Sequence, residues 1–221
     1  MHNDPWFLDA VIYAVDVKRF ADSDGDGIGD FRGLSERLPY IKDLGVTCLW
    51  LLPFYRSPGR DNGYDISDYY SLDPRLGTTE DFLEFLHLAG EHGIRVVLDL
   101  VINHTSDEHP WFQAARRDEK SRYRNYYVWS ADPPPVKGGD QSVFPDQEPT
   151  VWTYDETARA YYYHKFYRFQ PDLNTGNPDV LDEIERVMDY WLSLGVSGFR
   201  LDAIPFVIGQ NGLETADPAH P

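Results

Sequence analysis

Short apolar runs alternate with helical spacings along much of this chain. Segment 10–17 (AVIYAVDV) is a nearly continuous apolar run and predicts a first strand; segment 33–44 carries apolar residues at helical spacing and predicts a helix. Segment 46–52 predicts a second strand. A helix over 79–92 follows, with Thr78 or Thr79 as its cap, Glu80 and Asp81 in its acidic first turn and Gly93 closing it. Segment 95–102 (RVVLDLVI) predicts a third strand. From residue 104 to about 167 the alternation stops in a Pro- and aromatic-rich stretch, including Asp132-Pro133-Pro134-Pro135 and Tyr161-Tyr162-Tyr163, which reads as an inserted subdomain. A helix over 179–194 and a strand over 196–202 then resume the pattern.

Buried strands alternating with helices imply a parallel sheet wrapped by helices, an α/β layout with right-handed crossovers. Four such strands do not close a (β/α)₈ barrel, which takes about 250 residues. The expectation is therefore an open four-stranded sheet or the first half of a barrel. In the second case three divisions follow: 1–103 in the barrel, 104–167 inserted, 168–221 in the barrel again. A half-barrel leaves the edges of its first and fourth strands unpaired, which invites association.

Composition narrows the partners. The 221 residues are 42% hydrophobic, enough for a sizeable core, and 37 acidic against 20 basic residues give a formal charge of -17. That charge disfavours nucleic acid and anionic membranes. Fifteen Tyr and six Trp in an acidic protein suit a neutral polyhydroxylated ligand instead. No secretion leader or membrane-length apolar run is visible, so a cytoplasmic setting is expected. Cys48 lies in an apolar run and is expected to be a buried thiol without a disulfide partner. The sequon Asn103-His104-Thr105 carries little meaning without such a leader.

The polar clusters fall just after the strands, where parallel α/β proteins gather their active sites. Asp22-Ser23-Asp24-Gly25-Asp26-Gly27-Ile28-Gly29-Asp30 has alternate carboxylates, a Gly at the sixth place and a main-chain carbonyl from Ile28 at the seventh. This matches most of a calcium loop, although Gly33 occupies the place of the usual bidentate Glu. A solvated acidic turn is the alternative. Asp61-Asn62-Gly63-Tyr64-Asp65 offers two carboxylates and a ring in a loop. Asp99 to His104 projects Asp, Asn and His from an apolar strand, and His104 and His109 lack the spacing of a helical zinc pair. Gln170-Pro171-Asp172-Leu173-Asn174 is a rigid polar turn. In Gly198-Phe199-Arg200-Leu201-Asp202-Ala203, alternation turns Phe199 and Leu201 towards a helix layer and Arg200 and Asp202 the other way. An Arg two residues from an Asp favours the ionised carboxylate, as a nucleophile needs; a structural ion pair is the alternative.

Taken together, DLVINH, QPDLN and GFRLDA, in this order, resemble the signature segments of the α-amylase family of glycoside hydrolases (family 13). VIYAVDVKRFADSDGDGIGDFRGL, GVTCLWLLPFYRSP and DNGYDISDYY resemble its oligo-1,6-glucosidase and trehalose synthase branch, and VINHTSDEHPWFQAARR and RLDAIPF lean towards trehalose synthases. The resemblance runs from Trp6 to about Ile208. It implies the first half of a (β/α)₈ barrel with a small inserted subdomain after strand three, the C-terminal half being absent.

It also implies roles. Asp202 would be the nucleophile that forms a covalent glucosyl-enzyme, oriented and kept ionised by Arg200. His104 would hydrogen-bond the sugar, Tyr64 would stack beneath it, Asp61 would hold its outer hydroxyls, and Phe166 would form part of the wall. Asp22, Asp24, Asp26, Ile28 and Asp30 match the branch's calcium loop. In amylases the counterparts of Asn103 and Asp172 help bind another calcium. No organic cofactor is implied.

The general acid that retaining chemistry requires is, in this family, a Glu after a fifth strand, beyond residue 221. Glu214 lies in a polar tail and is not assigned that role. The resemblance thus implies maltose to trehalose isomerisation by an enzyme whose general acid this chain lacks. Hydrolysis of α-glucosidic bonds, as in an α-glucosidase or amylase acting on α-glucan oligosaccharides, uses the same residues. A noncatalytic carbohydrate- or calcium-binding module is the alternative of another class.

Overall fold

The computed structural model describes residues 5–132, 134 and 141–207. In chain order its elements are β1 (Ile12–Val15), α1 (Val17–Phe20), α2 (Phe31–Glu36), α3 (Leu38–Asp43), β2 (Cys48–Leu51), β3 (Tyr55–Arg56), β4 (Asp68–Leu72) and α4 (Thr79–Glu91). They continue as β5 (Arg95–Leu100), α5 (Pro110–Arg117), β6 (Trp129–Ser130), β7 (Trp152–Asp155), β8 (Ala160–Tyr163), α6 (Pro178–Ser193) and β9 (Gly198–Leu201). The described residues fall into two compact units. The first holds those up to Arg56, then Tyr70–Leu100 and Met188–Arg200; the second holds Ser57–Tyr69, Val101–Val187 and those from Leu201.

The first unit is built on a four-stranded sheet in the order β1-β2-β5-β9. Its β1–β2 and β2–β5 pairs are parallel, with Ile12 opposite Cys48 and Cys48 opposite Arg95. These are the four expected strands. The two inner ones are almost wholly buried, as continuous apolar runs should be when helices cover a parallel sheet. Cys48 lies in this core as a buried free thiol. β1 and β9 end the sheet among the described residues, and Ile12 is 57% exposed. Leu201, expected against a helix layer, is instead 45% exposed, because its strand has a neighbour on one side only.

α4 shows why its sequence stops and starts where it does. The Asp81 N–H donates to Thr78 Oγ1 (3.2 Å) while the Thr78 N–H donates to Asp81 Oδ2 (2.8 Å), a reciprocal cap, and Gly93 beyond its end takes φ 67°. Phe82, Phe85 and Ala89 bury one face. Phe82 packs against Phe31 (5.2 Å between centroids), Phe54 (5.3 Å) and Trp191 (5.5 Å), forming the aromatic centre of this unit. The single helix expected over 33–44 is two, α2 and α3, parted at Arg37. Pro39 is the cause: within a continuous helix its ring would collide with the carbonyl of Ser35 and remove an N–H, so the helix restarts with Pro39 in its first turn.

In the second unit, β6, β8 and β7 form an antiparallel sheet in that order, with Trp129 opposite Tyr162 and Trp152 opposite Tyr163. One face joins a core of Phe112, Ala115, Tyr126, Tyr127, Leu173 and Val180. α5 was not expected; with Phe112 and Ala115 as its buried residues it is too short to show a period. It is capped by His109, whose Nδ1 accepts from the Trp111 N–H (3.1 Å), and held to β7 by an ion pair between half-buried Arg116 and buried Asp155 (2.7 Å). No helix among the described residues is long and apolar enough to cross a membrane.

Candidate active site

Loop 57–65 of the second unit folds around one carboxylate. Asp65 is fully buried and accepts from Ser57 Oγ (2.8 Å) and from the N–H groups of Arg60 and Asp61 (both 3.1 Å). Three donors around one buried anion fix the course of the loop. Asp61 is thereby held where its Oδ2 accepts from Gln170 Nε2 (2.8 Å). Burial raises the Asp61 pKa; the Gln170 bond opposes this, and the like charges of Asp65 and Asp202 add to it. Asp61 and Asp202 therefore share one electrostatic field. Tyr64 lies half-buried in the same loop.

His104 is 2% exposed, and its pKa is pushed down to about 4, chiefly by burial, despite the nearby Tyr64 main chain and Asp65 carboxylate. The Asn103 side-chain amide donates to its Nδ1 (3.3 Å), which places the proton of the neutral ring on Nε2. By distance and angle that Nε2–H has no hydrogen-bond acceptor among the described residues, the Tyr64 main chain being close enough only to oppose the lowering of the ring's pKa. The ring packs on Phe166 (5.2 Å), and Phe166 on Phe206 (5.5 Å). Asp202 is half-buried at the end of β9, and Ala203 after it takes the left-handed φ of 54°. For a residue with a Cβ this costs about 1 kcal/mol and turns the chain abruptly out of the strand.

Arg200 belongs to the first unit. Its Nη1 donates to both oxygens of the fully buried Asp99 (3.1 and 3.3 Å), and its guanidinium lies 4.8 Å from the ring centroid of Trp50, whose Nε1 also donates to Asp99 (3.3 Å). Asp99, named above only as part of a strand, is the residue that anchors Arg200.

Among the expected metal ligands, Asp22, Asp24 and Asp30 bring carboxylate oxygens within 4.8 Å of one another. Asp26 is outside that cluster and accepts from the Ile28 N–H (2.7 Å). The Gly27 and Gly25 N–H groups hold the Asp22 pKa below its ordinary value, and Gly25 and Gly27 have φ 84° and 90°, which glycine adopts freely. The donor set suits a hard cation. Asn103 and Asp172 are adjacent through the His104–Asp172 bridge, and Asn103 Oδ1 and Asp172 Oδ2 are buried acceptors without a donor among the described residues. Burial raises the Asp172 pKa well above the carboxylate range. Glu214 lies outside the described residues.

The buried imidazoles dictate an acid response. His109, like His104, has its pKa lowered chiefly by burial, to about 3, from an ordinary 6.5. Unfolding lets both rings protonate at the ordinary value, so the unfolded state binds more protons below about pH 6.5. Their contribution is full above pH 6.5 and is lost as pH falls towards 4 and 3; the raised Asp172 pKa acts in the opposite sense. His109→Asn keeps a capping side chain and removes one titration. The urea midpoint of that variant should fall less steeply than the parent's between pH 6.5 and about 4; an unchanged slope would exclude His109 as a contributor.

Comparison with known proteins places these residues in a family. The Alpha-amylase profile, described as the alpha amylase catalytic domain, matches residues 12–219. A trehalose synthase of Pimelobacter sp. (strain R48) is 50% identical over 207 residues, covering 94% of this chain and 36% of that protein. The oligo-1,6-glucosidase of Bacillus cereus is 42% identical over 217 residues, covering 96% and 38%. Among solved structures, the Bacillus licheniformis trehalose-6-phosphate hydrolase superposes with a TM-score of 0.88 at 40% identity, over 97% of this chain and 39% of that one. The chain spans little more than a third of the length of the curated relatives it matches. It belongs to the α-amylase family of glycoside hydrolases, and its parallel α/β sheet is the N-terminal part of that family's (β/α)₈ catalytic barrel.

Proposed function

We propose that this chain carries the sugar-binding and nucleophile residues of a retaining α-glucoside-active enzyme of the trehalose synthase kind. The observation that carries the reading is the buried, neutral His104, whose Nε2–H meets the geometry of a hydrogen bond with no acceptor among the described residues. A buried donor left unmatched costs about 1–3 kcal/mol, and a sugar hydroxyl recovers it. Asp61 takes the outer hydroxyls of a non-reducing glucose, Tyr64 stacks beneath the ring and Phe166 walls it. Asp202 attacks the anomeric carbon to give a glucosyl-aspartate as the bond to the departing oxygen breaks. The glucosyl group then passes to a glucose hydroxyl in an isomerase, or to water in a hydrolase. The higher identity to a trehalose synthase than to an oligo-1,6-glucosidase supports the isomerase.

Retaining chemistry also needs a second carboxyl about 5–5.5 Å from the first, to protonate the departing oxygen. We assign that role to no carboxyl of the described residues, and the expected result is maltose binding without turnover. Proton NMR of maltose with the chain tests both parts. Saturation should pass to the non-reducing ring and vanish in Asp61→Asn, with no new anomeric signals. Trehalose or glucose would show a general acid within the chain, glucose favouring hydrolysis; contact indifferent to Asp61 would refute the binding assignment.

Asp22, Asp24 and Asp30, with the loop of Asp26 and Ile28, would hold a structural calcium ion. Asn103 and Asp172 offer too few oxygens for the six to eight that calcium takes, and no second ion is proposed there. Calcium at about 1 mM should raise the unfolding temperature and Asp24→Asn should cancel the rise; an equal response in both proteins would exclude the loop.

A further inference from the structure

The Arg60 guanidinium reaches three separate stretches of the second unit. It is paired with Asp107 and donates to Ser106 Oγ (3.1 Å), just past His104. Its Nε lies 3.5 Å from Asp65 Oδ2, inside its own loop. It also lies over Phe169 (4.5 Å to the centroid), the residue before Gln170. Phe169 is the end of a stack, with Tyr167 at 4.9 Å and Phe144 at 4.7 Å from Tyr167. The three stretches are also laced by their main chains: Ser106 N–H to the Ile66 carbonyl (2.8 Å) and Asp107 N–H to the Phe169 carbonyl (2.9 Å). Arg60 thus sits where the Asp61 loop, the His104 segment and the Gln170 turn converge.

We propose that Arg60 is a positioning residue for Asp61: it ties the 57–65 loop to Asp107 and Phe169, and so holds the Asp61 carboxylate against Gln170 in the geometry that grips the terminal glucose. Its effect on substrate rests on the function proposed above. Its effect on Asp61 does not. The planar fork makes this an arginine's task, since a lysine supplies the charge without stacking or a second donor row.

The full chain supplies the test, with two NMR readouts that a merely stabilising contact would leave alone: the Gln170 side-chain amide resonance and the titration of the Asp61 carboxyl. In Arg60→Gln the amide should move to where Asp61→Asn puts it. The Asp61 midpoint should fall towards an ordinary carboxylate as the freed loop hydrates. Asp107→Asn, which cuts the same tie from its other end, should shift both in the same direction, and Arg60→Lys should give values between. Maltose should bind Arg60→Gln at least tenfold more weakly. An unmoved amide overturns the proposal, as does a raised Asp61 midpoint with the amide in place, which would make Arg60 a counter-charge only. Loss of maltose binding in Asp61→Asn but not in Arg60→Gln overturns it while sparing the proposed function. Maltose binding that ignores Asp61 refutes that function, and the amide and titration still decide the role of Arg60.

Discussion

Replacing Trp191 by alanine should lower the unfolding free energy by about 3–5 kcal/mol, the usual cost of emptying a large aromatic site in a closed core. Trp191 is 2% exposed near the end of α6. Its indole meets Phe54, Tyr55, Phe82 and Tyr190 at 5.3, 5.5, 5.5 and 5.1 Å, each with the rings steeply inclined. Edge-to-face contacts of this kind add about 0.5–1.5 kcal/mol per pair beyond burial. Four neighbours from three stretches of chain cannot all collapse into the space, so much of the cavity term remains. Against a total stability of about 5–15 kcal/mol, the loss would leave the first unit marginal. Urea unfolding followed by circular dichroism measures it, with Trp191→Phe as the control that keeps a ring in place and loses less. A loss below about 1 kcal/mol would mean that this cluster is not the centre of the unit.

Local pattern carried the fold a long way. The inner strands are legible because a sheet covered on both faces needs continuous apolar runs, and β2 and β5 lie inside segments 46–52 and 95–102. The start of α4 is legible because its cap is made by residues three apart. The acidic loop is legible for the same reason, since its carboxylates and glycines are near neighbours in sequence. Pro39 was visible too, yet helical spacing across 33–44 concealed the break it causes. α5 was hidden by its length.

The site was legible only where a residue type carried a role by itself. The anchor of Arg200 is Asp99, 101 positions earlier; the partner of Asp61 is Gln170, 109 positions later; Arg60 meets Asp107 across 47 positions. No periodicity joins such residues. A buried Asp in an otherwise apolar strand, as at Asp99, is the one local sign that a cation had to be found elsewhere, because an unpaired buried carboxylate is costly. Arg60 gave no sign, being one more charge in a polar loop.

The strongest chemical expectation concerns Asp202. A nucleophile and a general acid can be separated by choosing a leaving group that needs no proton. With 5-fluoro-α-glucosyl fluoride, an Asp202 oxygen bonds to the anomeric carbon as the carbon–fluorine bond breaks, and fluoride departs with its electron pair. The 5-fluoro group then slows release of the ester by disfavouring the oxocarbenium-like transition state. Intact-protein mass spectrometry of the chain after this treatment, followed by fragmentation, is the most direct measurement. If Asp202 is the nucleophile of a retaining α-glucoside site, one 5-fluoroglucosyl group appears on the peptide that contains it, and none appears in Asp202→Asn. No labelling, labelling at another residue, or labelling that persists in Asp202→Asn would contradict the assignment.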